Sequence, residues 1–315
     1  MWAETGTIAE ASAPGYLSAR YAQALREFGV PQRLPLCGGW LLEREIAGAR
    51  AHDAMGCYPL FFCRDWRLLA ADLDELKEQL VSVALVADPF GEYDAALLQT
   101  AFDFARPFKQ HFIADLRRDP EEFISRNHRY KALRSLRDAR VERCDEPSRY
   151  VDEWSGFYDT LIARHKLGGI KAFSLQSFRS QLALPELVMF RYLTGGVAVG
   201  AQLWFVQGEY AYNHLMAMDE AGYEMRAAYG LCYEALRQFR KGAAGPVRLV
   251  DLGGGAGWGE AGEGLAQFKR GWATETRPAY FCGRILQPER YAELSEPRNK
   301  ITGNYFPAYR YGEFH

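Results

Sequence analysis

Residues 186–220, ELVMFRYLTGGVAVGAQLWFVQGEYAYNHLMAMDE, constrain the fold more than any other stretch of the chain. Three apolar and aromatic runs, Leu187–Leu193, Val197–Val206 and Tyr210–Met218, are separated only by Thr194-Gly195-Gly196 and Gln207-Gly208. Loops this short join neighbouring antiparallel strands, and glycine supplies the positive φ that such turns need. A three-stranded antiparallel meander is therefore expected. Amphipathic spacing predicts helices over Tyr150–Arg164, Leu175–Leu182 and Met225–Arg240 around it, with further strands at Val247–Leu252 and Tyr280–Leu286. That order predicts an α/β fold with a mixed sheet.

The 315-residue length suggests two domains. In the first part, strands are expected at Trp40–Glu45, Tyr58–Cys63, Ser82–Ala87 and His111–Ala114, with Asp72 capping a helix over Asp72–Leu80. Asp119-Pro120-Glu121-Glu122 then has the form of a helix start, with Pro just inside and acids on the positive end of the dipole. The helix it opens becomes basic through Arg126, Arg129, Lys131, Arg134, Arg137 and Arg140. Taking it as the opening of a second domain divides the chain into 1–118 and 119–315.

A net charge of −2 excludes a polycation that coats nucleic acid indiscriminately. No apolar run approaches the roughly 18 residues of a membrane-spanning helix, and the N-terminus lacks the pattern of a signal peptide. The six cysteines form no CxxC pair and no His cluster stands near them, so neither zinc nor another metal is expected. A reduced, cytoplasmic protein without a tightly bound cofactor is the expectation. The aromatic tail Tyr305, Phe306, Tyr309, Tyr311 and Phe314 should dock on the body or on a second subunit.

Asp251 ends an apolar run and opens into Gly253, Gly254, Gly255 and Gly257, which has the look of a methyltransferase cofactor loop. Such a loop follows the first strand of a doubly wound sheet, with several βα units still to come. Here only 64 residues follow Asp251, an antiparallel meander precedes it, and Trp258–Gly264 is itself loop-like. The order of elements excludes that reading. The glycines are expected to bend the backbone beside a substrate or to allow a bulge.

Helix pair, meander, helix, strand, helix, strand is instead the order of the GNAT acyltransferase fold. Asp251-Leu252-Gly253-Gly254 followed by Gly264-Leu265-Ala266-Gln267-Phe268-Lys269-Arg270-Gly271-Trp272 resembles a compound motif of the Fem family within it. The resemblance covers about 119–285 and implies two GNAT-like domains in tandem, the first degenerate. It implies transfer of an aminoacyl or acyl group to a small-molecule amine acceptor, forming an amide. Fem enzymes draw on aminoacyl-tRNA, and some relatives are taken to use acyl-CoA. GNAT enzymes that bind coenzyme A carry a glycine-rich pyrophosphate loop at the start of the helix after the meander. Arg226-Ala227-Ala228-Tyr229-Gly230-Leu231 stands there, with Tyr229 in place of the first glycine, which favours charged tRNA as donor. An acyl-CoA transferase and a non-catalytic binding module on a decayed GNAT fold are the alternatives.

Lys269 is the candidate for charge at the oxyanion or at donor phosphates, and Phe268 for packing that fixes it. His214 is a candidate base or acceptor ligand, although a core histidine bonded to a neighbour accounts for its place equally well. Trp204 and Tyr212 of the meander, Gly253 and Gly254, and Arg164-His165 at a helix end are candidate substrate contacts. Asp88, with Glu92, could orient the amine from the first domain, although a turn acid is the default. Arg226, Tyr229 and Gly230, with the basic face Arg126, Arg129 and Arg134, are the candidate donor-binding residues.

Overall fold

The structure is a computed structural model that describes residues 14–242, 245–255, 260–296 and 305–313. Gly257, Trp258, Phe314 and the N-terminal residues 1–13 lie outside the described residues. The described strands are β1 (Val30–Leu34), β2 (Gly39–Glu45), β3 (His52–Gly56), β4 (Leu80–Val86), β5 (Phe104–Asp115), β6 (Ala139–Cys144), β7 (Leu187–Thr194), β8 (Val197–Gln207), β9 (Tyr210–Met218), β10 (Leu249–Gly254) and β11 (Glu275–Ile285). The fold is mixed α/β, as expected.

The chain forms two compact units. The first holds residues up to Phe108 together with Gly168–Lys171 and Ala279–His315; the second holds Lys109–Leu167 and Ala172–Pro278. This differs from a single cut after residue 118. The strand that closes each sheet comes from the other side of the division in sequence. In the first unit the order is β1-β2-β3-β4-β11, with β3 and β4 parallel and β11 antiparallel to β4. In the second the order is β6-β7-β8-β9-β10-β5, with β9 and β10 parallel and β5 antiparallel to β10. From the parallel pair outward the two units share one pattern.

In the first unit the core gathers Leu41, Phe61, Trp66, Leu69, Val83, Leu85 and Cys282. Its helices are α1 (Ala19–Ala24), α2 (Leu69–Asp74), α3 (Ala95–Ala101) and, later in the chain, Pro288–Ser295. Asp72 lies inside α2 instead of capping it, and its carboxylate accepts from the backbone N–H groups of Leu36 (3.0 Å) and Cys37 (2.7 Å). Tyr58–Cys63 contributes only an isolated bridge from Phe61 to Ala87, because Pro59 interrupts any ladder. The tail docks within this unit. Tyr309 Oη lies 2.8 Å from Ser82 Oγ, and Arg310 makes two 2.8 Å bonds to the fully buried Asp53.

The second unit confirms the meander within one residue at each strand end. Its helices are α4 (Pro120–Phe123), α5 (Arg126–Ser135), α6 (Val151–His165), α7 (Leu175–Leu182), α8 (Glu220–Glu224), α9 (Ala227–Arg240) and α10 (Glu260–Arg270). β8 is buried on both faces because helices cover both: α9 packs on β7 and β8, and α6 on β8 and β9. The expected single basic helix is broken. Asp119 caps α4, Ser125 caps α5 anew, and Arg140 sits on the edge strand β6. Charges along β6 suit an edge, where they discourage pairing with another chain.

Candidate active site

The parallel pairing of β9 with β10 stops early. Leu249, Val250 and Asp251 pair with Tyr210, Ala211 and Tyr212, after which β9 runs on to Met218 without β10 beside it. β10 instead follows β5, with a shift of register between Asp251 and Gly254, where Gly254 faces His111. Gly253 has φ +82°, a conformation that L side chains rarely adopt, so the kink requires glycine. The two strands therefore part after Asp251, and the kinked segment Asp251–Gly254 continues beside β5 alone.

Four ionisable side chains meet this segment. Lys269, near the end of α10, donates from Nζ to the Gly254 carbonyl at 2.7 Å. A Cβ on Gly253 would lie 2.8 Å from that Nζ, so the glycine also leaves room for the ammonium. Burial holds the Lys269 pKa down at about 8, with Lys109 pushing the same way while Asp251 and Cys232 oppose. Asp251, only 2% exposed, accepts from Gly253 N at 2.7 Å through Oδ1 and pairs with His111 Nδ1 at 2.7 Å through Oδ2. Lys109, two residues before His111 on β5, has its stem 3.0 Å from where a Gly254 Cβ would be.

The aromatic residues of the motif fix Lys269. Phe268 packs edge-on to Tyr229 at 5.1 Å and lies 6.0 Å from the fully buried Trp272. His128 of α5 donates from Nε2 to the Phe268 carbonyl at 3.0 Å, and its ring occupies the space a Cβ on Gly271 would need. Gly271 is thus required by the close approach of α5. Phe268, Gly271 and Trp272 shape the end of α10, and Lys269 is left to face the kinked strand. α10 itself extends back to Glu260, across residues expected to be loop; its glycines hide it from propensity.

Of the donor candidates, Tyr229 and Gly230 are engaged in packing. Tyr229 joins His128, Phe268 and Trp272, and the Lys131 ammonium lies 5.1 Å from its ring centre. A Cβ on Gly230 would come within 2.8 Å of Tyr192 and 3.0 Å of Ser135 Oγ, so this glycine admits a neighbouring strand and helix. Gly230→Ala is expected to cost about 1–3 kcal/mol of stability and to leave turnover per folded molecule unchanged. Urea unfolding alongside active-site titration checks this; weakened donor binding without lost stability would contradict it. Arg226 takes the left-handed conformation at the start of α9 with no side-chain cap. Arg129 pairs with Glu121 at 3.2 Å, while Arg126, Arg134 and Arg137 are exposed on or just beyond α5, beside exposed Tyr130 and Leu133.

Several substrate candidates lie elsewhere. Trp204 is fully buried, edge-on to Phe239 at 5.3 Å, and belongs to the core under α9. His214 sits at a register shift in β9, between Asn213, which pairs with Trp204, and Leu215, which pairs with Leu203. It is bonded through Nε2 to Gln181 Oε1 at 2.8 Å and packs between Phe173 and Phe205. Burial pushes its pKa down to about 3, so a proton-accepting role near neutral pH has no support. Tyr212 is buried but stands beside Asp251 in the parallel ladder. Arg164 is held by Glu220 at 3.2 Å and lies over the Tyr223 ring, and His165 is exposed at the end of α6, which Lys166 closes in the left-handed conformation. Asp88 belongs to the first unit and accepts from Phe90 N at 3.1 Å, as a turn acid does; Glu92 is exposed. Sequence reasoning missed His111, Lys109 and His128.

No family model and no curated protein matches this chain. Solved structures do. The crystal structure of FemX aligns over 88% of this chain and 93% of its own, with a TM-score of 0.68 at 13% identity. The C-terminal domain of a proposed lysylphosphatidylglycerol synthetase from Agrobacterium fabrum aligns over 87% and 91%, with a TM-score of 0.60 at 15% identity. L-PGS from Bacillus licheniformis aligns over 86% and 93%, with a TM-score of 0.56 at 15% identity. Likeness at such identity is a likeness of fold. Among the described residues no helix is long and apolar enough to cross a membrane.

Proposed function

From the FemAB-like fold of the GNAT superfamily that this chain has, we propose that it transfers an aminoacyl group from charged tRNA to an amine, forming an amide. The observation that carries the reading is Lys269: a part-buried ammonium tied to the Gly254 carbonyl where β9 and β10 diverge. In the transfer a neutral amine attacks the ester carbonyl, the N–C bond forms and the C–O bond to the tRNA ribose breaks. The proton lost by nitrogen ends on that oxygen. Negative charge develops on the carbonyl oxygen meanwhile, and a cation fixed in a partly dehydrated place stabilises it without reorganisation.

Two observations support tRNA over coenzyme A. Tyr229 and Gly230 are committed to packing where a pyrophosphate loop would need open backbone. Exposed Arg126, Arg134 and Arg137 offer charge to a phosphate backbone, and exposed Tyr130 offers a ring to an unpaired base. The name of the Agrobacterium fabrum protein speaks of lysine joined to a lipid, which favours an aminoacyl over a plain acyl group.

Thermal-shift measurements separate the donors, since a ligand at 100 times its Kd adds about 2.7 kcal/mol. Stabilisation by charged tRNA and none by acyl-CoA is expected. Stabilisation by acyl-CoA alone would overturn the donor assignment.

A further inference from the structure

His111 was not singled out by its sequence, and the kinked strand gives it a specific setting. It is 7% exposed and stands opposite Gly254, whose missing side chain lets the imidazole lie against β10: a Cβ there would be 3.3 Å from His111 Cδ2. Its Nδ1 is 2.7 Å from Asp251 Oδ2. The other carboxylate oxygen is held by Gly253 N–H, so Asp251 is clamped by the same kink that Lys269 reaches. A carboxylate accepts only, which places the imidazole proton on Nδ1 and leaves the Nε2 lone pair open. Among the described residues Nε2 has no hydrogen-bond partner.

We propose that His111, oriented by Asp251, is the general base of the transfer. Its Nε2 takes the proton that the acceptor nitrogen loses as the N–C bond forms. It returns that proton to the donor oxygen as the C–O bond breaks, so the imidazole is regenerated and nothing is oxidised or reduced. The role rests on the aminoacyl-transfer reading. Asp251 stabilises the imidazolium that forms midway and holds the ring in its base-competent tautomer. Lys109 precedes His111 by two residues on β5, and Lys269 of α10 bonds the carbonyl of Gly254, which His111 faces, so both cations border the same kink. Cys232 of α9 also acts on Lys269, and burial pushes its thiol up to about 12, so it stays neutral. Base and cation thus stand at one four-residue kink, Asp251–Gly254, as addition to a carbonyl requires.

His111→Asn is the informative variant, because its side-chain N–H can still donate to Asp251 while the basic nitrogen is gone. With the full chain, charged tRNA and an amine acceptor, kcat is expected to fall about 10²–10⁴-fold with KM little changed. The acidic limb of the kcat/KM–pH profile should vanish. His111→Ala should regain part of the rate with added imidazole, and Asp251→Asn should keep a displaced acidic limb. Circular dichroism and thermal unfolding confirm that each variant folds; should Asn fail to fold, Gln takes its place. Wild-type turnover with an His111→Asn rate within threefold and an unchanged acidic limb overturns the base assignment alone. No transfer by the wild type from any donor class overturns the aminoacyl-transfer reading, and this role with it.

Discussion

Replacing Lys269 with Met is expected to lower kcat/KM for transfer by about 10²–10³-fold, the cost typical of losing one oxyanion donor, while the fold survives. Met keeps the length of the side chain and removes the ammonium. The Gly254 carbonyl then loses its 2.7 Å donor, at a cost of about 1–3 kcal/mol if it finds no other. Relief from burying a charge opposes that loss. The folded-state pKa of Lys269, about 8, lies below the ordinary 10.5, so the folded chain favours the neutral amine. The stability associated with that neutral form is fully present above pH 10.5 and is lost as pH falls through about 8. Near pH 7 the buried ammonium is therefore a destabilising element, and Lys269→Met should be close to the wild type in stability. Urea unfolding at pH 7 and pH 10.5 checks the sign: wild type should gain on the variant as pH rises. With the proposed role for the ammonium, wild-type turnover should fall as pH rises through about 8. A variant that loses turnover only by unfolding would make Lys269 a packing residue.

The second large effect belongs to the first unit. Arg310→Ala is expected to cost about 3 kcal/mol, in the range for removing one partner of a buried ion pair. Arg310 grips the fully buried Asp53 with Nε and Nη2, each at 2.8 Å, and also donates to the Glu45 carbonyl at 2.8 Å. Arg44 Nε remains 3.4 Å from Asp53, which keeps the loss at the lower end. The same change releases the tail, whose Tyr309 is bonded to Ser82 and whose Phe306 stacks on Tyr291 at 5.7 Å. Arg310→Lys should recover only part of the loss, since an ammonium cannot reproduce the two-pronged contact. Urea unfolding and limited proteolysis near the C-terminal end measure both. A loss below about 1 kcal/mol would show that the tail is not what satisfies Asp53.

Parts of this architecture were legible in the sequence and parts were not, for identifiable reasons. The meander was legible because apolar runs and glycine turns alternate at the lengths hairpins demand, and both pairings form as expected. β6 is hidden inside a basic run that reads as one helix, although Ala139 and Val141 alternate along it and pack toward the core. α10 was hidden by glycines that lower helix propensity and are outweighed by the packing of Phe268 and Trp272. The boundary at residue 118 missed the return of β11 to β4, since strand exchange leaves no local mark.

Within the site, Lys269, Gly253 and Gly254 were legible through the compound motif. His111 was not, because its partner Asp251 lies 140 residues away and only folding brings them together. The one available signal was a histidine two residues after a lysine in a strand otherwise rich in apolar side chains. His214 and Trp204 attracted notice by their place in the meander, yet the helices on both faces turn them into core.

The central claim is tested most directly by following transfer itself. Incubating the full chain with tRNA charged with isotope-labelled amino acids and a panel of primary amines, and reading products by mass spectrometry, should show an amine heavier by one aminoacyl residue. Product should form with the wild type and fall to background with Lys269→Met. Absence of any amide product from charged tRNA, with product formed from acyl-CoA in the same panel, would contradict the account.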